Sequence, residues 1–278
     1  LQFFSNESNP KIKIKFINTF HFYTHFGMKK ATFRQLVLDF QQDEATFDNF
    51  LVDDSNRLAV EGGIRFYQNK GVGMNPFILT GHPGTGKSHL LHAIGNKFLS
   101  QTKGDSICIL HTGDLVRAVG EASRYEDILS EVERFKKVSL LLVDDFQFAD
   151  SDEGTQDQIF HILNEIFRGS GVVVVATRVS AHSLRGIHDH LGSRIRSGVE
   201  FYIKPASFEL QVQLVKRFAL NVNLTLPDNV IEFILNRFDR NPHELKRIVQ
   251  QVNHYSLTSK RKVSISGVKS ALEELNHG

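Results

Sequence analysis

Gly81-His82-Pro83-Gly84-Thr85-Gly86-Lys87-Ser88 fills every fixed position of the pattern G-x-x-x-x-G-K-[ST]. Before it, Pro76-Phe77-Ile78-Leu79 is an apolar run that reads as a buried strand. After it, Ser88 to Leu99 sets Leu90, Leu91, Ile94 and Phe98 on one side of a helix. Strand, glycine-rich turn and helix follow in the order a phosphate-binding loop needs. Gly81, Gly84 and Gly86 let backbone N–H groups curl around a phosphate chain without Cβ clashes, with Thr85 between them as a further nucleotide-binding position. The helix start adds partial positive charge at the same point. Lys87 is expected to reach the outer phosphates and the Ser88 hydroxyl to ligate Mg²⁺. The alternative is a glycine-rich turn with an incidental lysine, which the flanking elements disfavour.

Further along, Leu140-Leu141-Leu142-Val143 is a near-continuous apolar strand, as expected where helices cover both faces of a sheet. It ends in Asp144-Asp145, so both carboxylates emerge where open α/β sheets bind ligands. Asp144 is expected to position Mg²⁺ through water, and Asp145 to orient or deprotonate the attacking water. Two ordinary loop aspartates are the bland reading. Val172-Val173-Val174-Val175 is another buried strand; it runs to Thr177, which is either a polar contact near the γ-phosphate or an ordinary residue after a strand.

Bulk properties narrow the field. At 278 residues the chain is long enough for about two domains. Lys plus Arg is 33 against 31 for Asp plus Glu, so net charge makes no case for nucleic-acid binding. One cysteine, Cys108, excludes a disulfide framework and a Cys-based zinc site, which suits a reducing cytoplasm. The thirteen histidines show no H-E-x-x-H spacing. No run approaches the roughly 18–20 apolar residues of a membrane span. A cytoplasmic protein without membrane contact is expected.

The ends differ from the middle. Residues 1–44 form an extension, and within it Met28-Lys29-Lys30 is expected to be the native start, with residues 1–27 read through from upstream. In Gln35-Leu36-Val37-Leu38-Asp39-Phe40, Leu36, Leu38 and Phe40 alternate. The segment is either an edge strand or an extended peptide that docks alternate side chains into a groove. Residues 45–204 read as an α/β domain with five strands: before the loop, at Ser106 to His111, at Val138 to Asp145, at Val172 to Val175 and at Phe201 to Ile203. Thr112-Gly113-Asp114 is expected to cap the helix after the second strand. Ile128, Leu129, Val132 and Phe135 are expected on the apolar face of the next. Pro205 to Ser207 reads as a linker, and residues 205–278 as a helical domain. Within that domain, Asn241-Pro242-His243-Glu244 has the order of N-cap, N1 proline and N3 glutamate.

Taken together, the loop, the acidic strand and the small helical lid resemble an AAA+ ATPase: a parallel five-stranded P-loop sheet followed by a lid. Thr46-Phe47-Asp48-Asn49-Phe50, Asn75-Pro76-Phe77, Gly86 to Asn96 (His89 included), Leu141 to Phe148 and Thr155-Gln156 are similar to the core of the bacterial initiator DnaA. That resemblance runs from about Ala45 to Leu275 and implies ATP or ADP with Mg²⁺ as ligands. No DNA-reading helix-turn-helix is expected after the lid and no long helicase-recruiting domain before the core. The sequence therefore resembles the Hda family of DnaA regulators more than an initiator. This implies DnaA and the sliding clamp (the polymerase β subunit) as partners, self-association, and at most weak or indirect DNA contact. In that family the clamp-bound regulator promotes hydrolysis of DnaA-bound ATP and prevents repeated origin firing. Gln35, Leu36, Leu38 and Phe40 lie where the family's clamp-binding peptide should lie, and Arg194 falls at its arginine-finger position, acting in trans.

Two departures from that pattern bear on chemistry. His243 stands where DnaA's lid arginine touches nucleotide, with Lys246 or Arg247 as replacements one turn later. Arg178 stands where an acid usually follows the strand. Both are expected to weaken intrinsic hydrolysis more than nucleotide binding. The alternative function is a DnaA-type initiator fragment or a helicase-loader-like ATPase that binds single-stranded DNA between Thr112 and Lys137. In that stretch Glu121, Glu126, Asp127, Glu131 and Glu133 offset the basic residues.

Overall fold

In the computed structural model of the chain, the described residues are 45–101, 107–124, 128–147, 151–259 and 262–273. The expected start at Met28 and the peptide at 35–40 therefore lie outside them. The first unit runs α1 (Arg57–Gln68), β1 (Phe77–Thr80), α2 (Lys87–Gln101), β2 (Ile107–His111), α3 (Thr112–Arg124), α4 (Ile128–Phe135), β3 (Leu140–Asp144), α5 (Glu153–Arg168), β4 (Val172–Thr177), α6 (Asp189–Arg196) and β5 (Val199–Tyr202). All five strands are parallel, in the order β2-β3-β4-β1-β5, with Phe77 beside Val174 and Leu140 beside Val172.

The apolar runs read as strands because both sheet faces are covered. Successive strand side chains point to opposite faces, and the two layers divide on that period. Leu140, Leu142, Val172 and Val174 join Leu90, Leu91, Ile94 and Phe98 of α2 in one core. Leu141, Val143, Val173 and Val175 join Leu115 and Val119 of α3 and Ile159, Ile162 and Ile166 of α5 in the other. Each such side chain, fully buried, contributes about 1.5–3 kcal/mol. The central strands β1, β3 and β4 are buried along their whole length, while the edge strand β5 exposes Val199 and Tyr202. Asn75 stitches the base of the sheet: its Nδ2 donates to the Gly171 carbonyl (3.0 Å) and its Oδ1 accepts from the Val173 N–H (2.9 Å).

The second unit is helical: α7 (Phe208–Asn221), α8 (Asp228–Arg237), α9 (Pro242–Ser259) and α10 (Ile265–Glu273). Val215, Ile231, Ile234, Leu245, Ile248 and Val252 build its separate core. The linker ends at Ser207, whose hydroxyl accepts from the Leu210 N–H (3.1 Å) and caps α7.

Three local expectations are corrected. Leu129 is not on the buried face of α4 but 77% exposed; helical spacing alone cannot say which side of a short amphipathic segment meets the core. Thr112 is the first residue of α3, and its hydroxyl donates to the Asp144 carbonyl (3.3 Å), joining β2 to β3. Asn241 does cap α9, accepting from the His243 N–H (3.0 Å), but Glu244 turns to Arg247 (2.8 Å) and leaves the Asn241 N–H to Asp239 (3.1 Å).

Candidate nucleotide site

The phosphate-type loop leaves the sheet between its two neighbours. The Gly81 N–H donates to the Thr177 carbonyl (3.2 Å), and the Ile203 N–H donates to that of Thr80 (2.7 Å). A Cβ on Gly81 would press into the Ile203 carbonyl oxygen. Gly84 and Gly86 have φ of +76° and +95°, a region that side chains disfavour. The loop curls as its glycines predict, and it ends on the first turn of α2.

Lys87 is buried against this loop, its Nζ donating to the carbonyls of Gly81 (2.7 Å) and His82 (2.8 Å). Burial pulls its pKa down, while the charges of Asp144 and Asp145 act the other way and Arg178 adds to the lowering. Lysine, acid pair and Arg178 thus share one electrostatic neighbourhood. Ser88 is exposed beside it on the cleft wall, and the Thr85 hydroxyl donates to the His82 carbonyl (2.9 Å).

The acid pair is asymmetric. Asp144 is 7% exposed, and its Oδ1 accepts from the Asp145 N–H (2.8 Å). Asp145 sits at φ +52° with its carboxylate turned outward. There Arg178 grips it with a fork, Nε to Oδ1 and Nη2 to Oδ2, both 2.9 Å, and Gln147 Nε2 adds a third bond to Oδ1 (3.1 Å). Two parallel N–H···O bonds fix orientation as well as charge. The sequence marked Arg178 as an oddity but gave no sign of this partner. Thr177 is fully buried and donates its hydroxyl to the Val179 carbonyl (3.1 Å), so it closes its own turn.

A cleft of about 910 Å³ separates the loop from the helical unit. Loop residues 82–89 form one wall, and Asn49, Phe50 and Leu51 a second. His89 joins them: its Nε2 lies 2.9 Å from Asn49 Oδ1 and 3.3 Å from the Thr46 carbonyl, and its ring meets Phe50 edge-on. His89 therefore holds the segment that carries Phe50 to the cleft, and burial lowers its pKa. The far wall comes from the linker and lid: Pro205, Leu210, Gln211, Leu214, His243 and Lys246. His243 is exposed. Of the two replacements expected for the lid arginine, Lys246 lines the cleft; Arg247 does not, being held by Glu244. Arg217 lines it too and donates to the Asn49 carbonyl (2.8 Å), tying lid to core. Sequence reasoning assigned no role to Phe50, Gln211 or Arg217. Phe50 alone had a signal, within Thr46 to Phe50.

Arg194 stands apart. It lies on α6, outside the cleft lining, with its guanidinium carbon 3.8 Å above the Phe167 ring. Its Nε is buried without a partner, and burial lowers its pKa. Among the described residues no carboxylate pairs with it.

These residues fit a magnesium nucleotide. The glycine cradle and Lys87 suit phosphates, the apolar wall around Phe50 and Leu210 suits a base, and Gln211 Oε1 is a buried acceptor without a partner. No cluster of three His, Cys, Asp or Glu residues capable of holding a metal occurs among the described residues. Ser88 and Asp144 fit an ion that keeps several waters and takes phosphate oxygens, which is Mg²⁺ behaviour. No helix of the described residues is long and apolar enough to cross a membrane.

A parallel sheet ordered β2-β3-β4-β1-β5, a phosphate loop after β1, an acid pair after β3 and a helical lid over the loop define an AAA+ P-loop protein. Residues 41–202 match the family described as the bacterial DnaA ATPase domain, and residues 209–272 match the Hda lid domain. The chain belongs to the DnaA-like AAA+ family. It is 31% identical over 230 residues to the chromosomal replication initiator protein DnaA of Burkholderia multivorans, covering 83% of this chain and 44% of that protein. DnaA of Burkholderia mallei is equally similar, with 43% of its length covered. The chain thus spans under half the length of these relatives. Among solved structures, AMPPCP-bound DnaA from Aquifex aeolicus superimposes with a TM-score of 0.72 at 28% identity, over 86% of this chain and 72% of that one. Domain III of Thermotoga maritima DnaA gives 0.76 at 24% identity, covering 83% and 96%, a likeness of fold.

Proposed function

We propose that this chain is an Hda-type regulator of replication initiation. In this reading it holds ATP or ADP with Mg²⁺ and drives hydrolysis in a DnaA partner more than in its own cleft. The observation that carries the reading is the division of labour between two arginines. Arg178 occupies the carboxylate of Asp145, the residue that would receive a proton from the attacking water in this chain's own site. Arg194 sits outside the cleft, unpaired with any described carboxylate and lightly stacked on Phe167. A guanidinium desolvated in this way exchanges few partners on entering a neighbouring subunit's site. There it would offset charge developing on the transferred phosphoryl group, an effect of ~10³–10⁵ in the GTPase cases.

Within the chain's own cleft, the Gly84 to Ser88 amides and Lys87 would bind phosphates, and Ser88 and Asp144 would hold Mg²⁺, which would supply charge neutralisation for the phosphates. Phe50 and Leu210 exclude water from the base. His243 and Lys246 take the side where DnaA carries a lid arginine, with Lys246 supplying the positive charge. Gln35, Leu36, Leu38 and Phe40 are the proposed contact with the sliding clamp, which would bring the regulator to DnaA on DNA. AMPPCP bound to the Aquifex aeolicus DnaA, which shares this fold, supports nucleotide binding.

The test uses purified DnaA loaded with labelled ATP, sliding clamp loaded on DNA, and this chain. Wild type is expected to accelerate hydrolysis on DnaA. Arg194→Ala is expected to retain nucleotide and clamp binding and to lose at least tenfold of the acceleration. Normal acceleration by Arg194→Ala removes the finger. Unchanged clamp capture by a Gln35→Ala, Leu38→Ala, Phe40→Ala variant removes the peptide.

A further inference from the structure

Phe167 and Arg194 lie on the last turns of α5 and α6, two helices that pack together. Phe167 follows Ile166 in the chain and Arg194 precedes Ile195, and both isoleucines are fully buried in one core. The backbone is therefore anchored on both sides, and the Ser197 hydroxyl adds a bond to the Arg194 carbonyl (2.7 Å). Above this base the guanidinium carbon lies 3.8 Å from the centre of the Phe167 ring. The inner nitrogen, Nε, is buried and unbonded, whereas Nη1 and Nη2 are not among the sealed atoms and bond no described residue. One edge of the group is thus pressed into the protein, and the other keeps its N–H donors accessible.

What holds an arginine decides what it can still do. A carboxylate would have to be given up before the group could serve phosphates elsewhere. The acid in the same turn as the ring, Glu165, is committed instead to Arg168 (2.6 Å) and Lys136 (3.5 Å). A ring face holds the cation through its quadrupole, a preference of roughly two- to thirtyfold that rises with desolvation, and it occupies none of the N–H donors. An arginine held by nothing spreads over many rotamers, and that freedom is lost when the group is fixed against a phosphate. We propose that Phe167 is the positioning residue for Arg194: its ring sets the plane of the guanidinium so that the outer nitrogens meet the phosphates held by a neighbouring DnaA. Phe167 touches neither nucleotide nor reacting atoms and acts through Arg194 alone. The inference rests on the arginine-finger reading above and adds the residue that aims the finger.

The test is single-turnover hydrolysis of labelled ATP preloaded on DnaA, with sliding clamp loaded on DNA and increasing amounts of this chain. Each titration gives a maximal rate and a half-saturating concentration. Phe167→Leu removes the ring and keeps an apolar side chain. It is expected to lower the maximal rate about three- to tenfold while the half-saturating concentration stays within about twofold of wild type. Phe167→Tyr keeps the ring face and is expected to stay within about twofold of wild type in both. On an Arg194→Ala background Phe167→Leu is expected to add no further loss, since the ring then has nothing to aim. Phe167→Met, flexible and apolar, takes the place of Phe167→Leu if circular dichroism shows that variant unfolded. Four results overturn the inference and leave the finger in place: a wild-type maximal rate without the ring, an effect confined to the half-saturating concentration, an equal loss in Phe167→Tyr, or an equal loss with and without Arg194. A normal rate in Arg194→Ala overturns the finger, and this inference with it.

Discussion

Arg178 and Asp145 approach from the ends of neighbouring strands, 33 residues apart in sequence. In the proposed function their fork would govern how much of the acid is available to water. Both side chains are more than a third exposed, so the pair adds only about 0–1 kcal/mol to stability. Removing the guanidinium should therefore act on chemistry far more than on folding. Arg178→Ala is expected to raise intrinsic ATP hydrolysis at least several-fold, with the melting temperature nearly unchanged, and Arg178→Ala with Asp145→Asn is expected to cancel the gain. A rate that stays flat in the single variant, with nucleotide still bound, removes the restraint from the mechanism. This is also where the sequence was least legible. Gly81 to Ser88 could be read because one local stretch carries the turn, the anion site and the cation. The grip of Arg178 on Asp145 depends on strand order, and the lone acceptor of Gln211 depends on what the linker and lid bring around it; neither leaves a local pattern.

Among the elements, α2 carries two imidazoles, half-buried His89 and buried His92. Burial lowers the pKa of each below the usual 6.5; for His92 the charge of Asp144 opposes that shift. In the unfolded chain both protonate near pH 6.5, while in the folded protein they resist, so the unfolded state binds more protons below that point. Their contribution is fully present above pH 6.5 and is lost as pH falls toward the depressed folded values. Thermal melts are expected to show stability declining from pH 7.5 to 5.5, and His89→Gln with His92→Gln to flatten that decline. The strands were legible for the opposite reason to the site: β3 and β4 are covered on both faces, so unbroken apolar runs mark them without any reference to partners. Helix α5 was legible too, because Ile159, Ile162 and Ile166 recur on one face. Ile162→Ala is expected to cost about 2–5 kcal/mol in denaturant unfolding, since the side chain is fully buried in the layer beneath the sheet. Leu129 shows the limit of periodicity. Its spacing satisfied a helix, but the side chain faces outward.

For the whole molecule, two separate cores meet along one seam. The sheet unit and the lid each pack their own apolar residues, and the cleft runs between them. Arg217 reaches from the lid to the Asn49 carbonyl, Ser207 donates its N–H to Asp53 (3.2 Å), and Lys204 donates its N–H to the Ser55 carbonyl (3.0 Å). On either side of Pro205 to Ser207 the sequence changes from apolar strand runs to helical stripes. The seam left no such mark, because its ties come from a segment some 150 residues upstream of the linker it grips.

The crowding at Gly84 gives that seam a direction. A methyl group there would come within 3.0 Å of both Asn241 Oδ1 and Pro242 Cδ, the first atoms of α9. Loop and lid thus abut at Gly84 with no slack for a side chain. A ligand that fills the cradle and stiffens its backbone is therefore expected to shift the tilt of the helix resting on it.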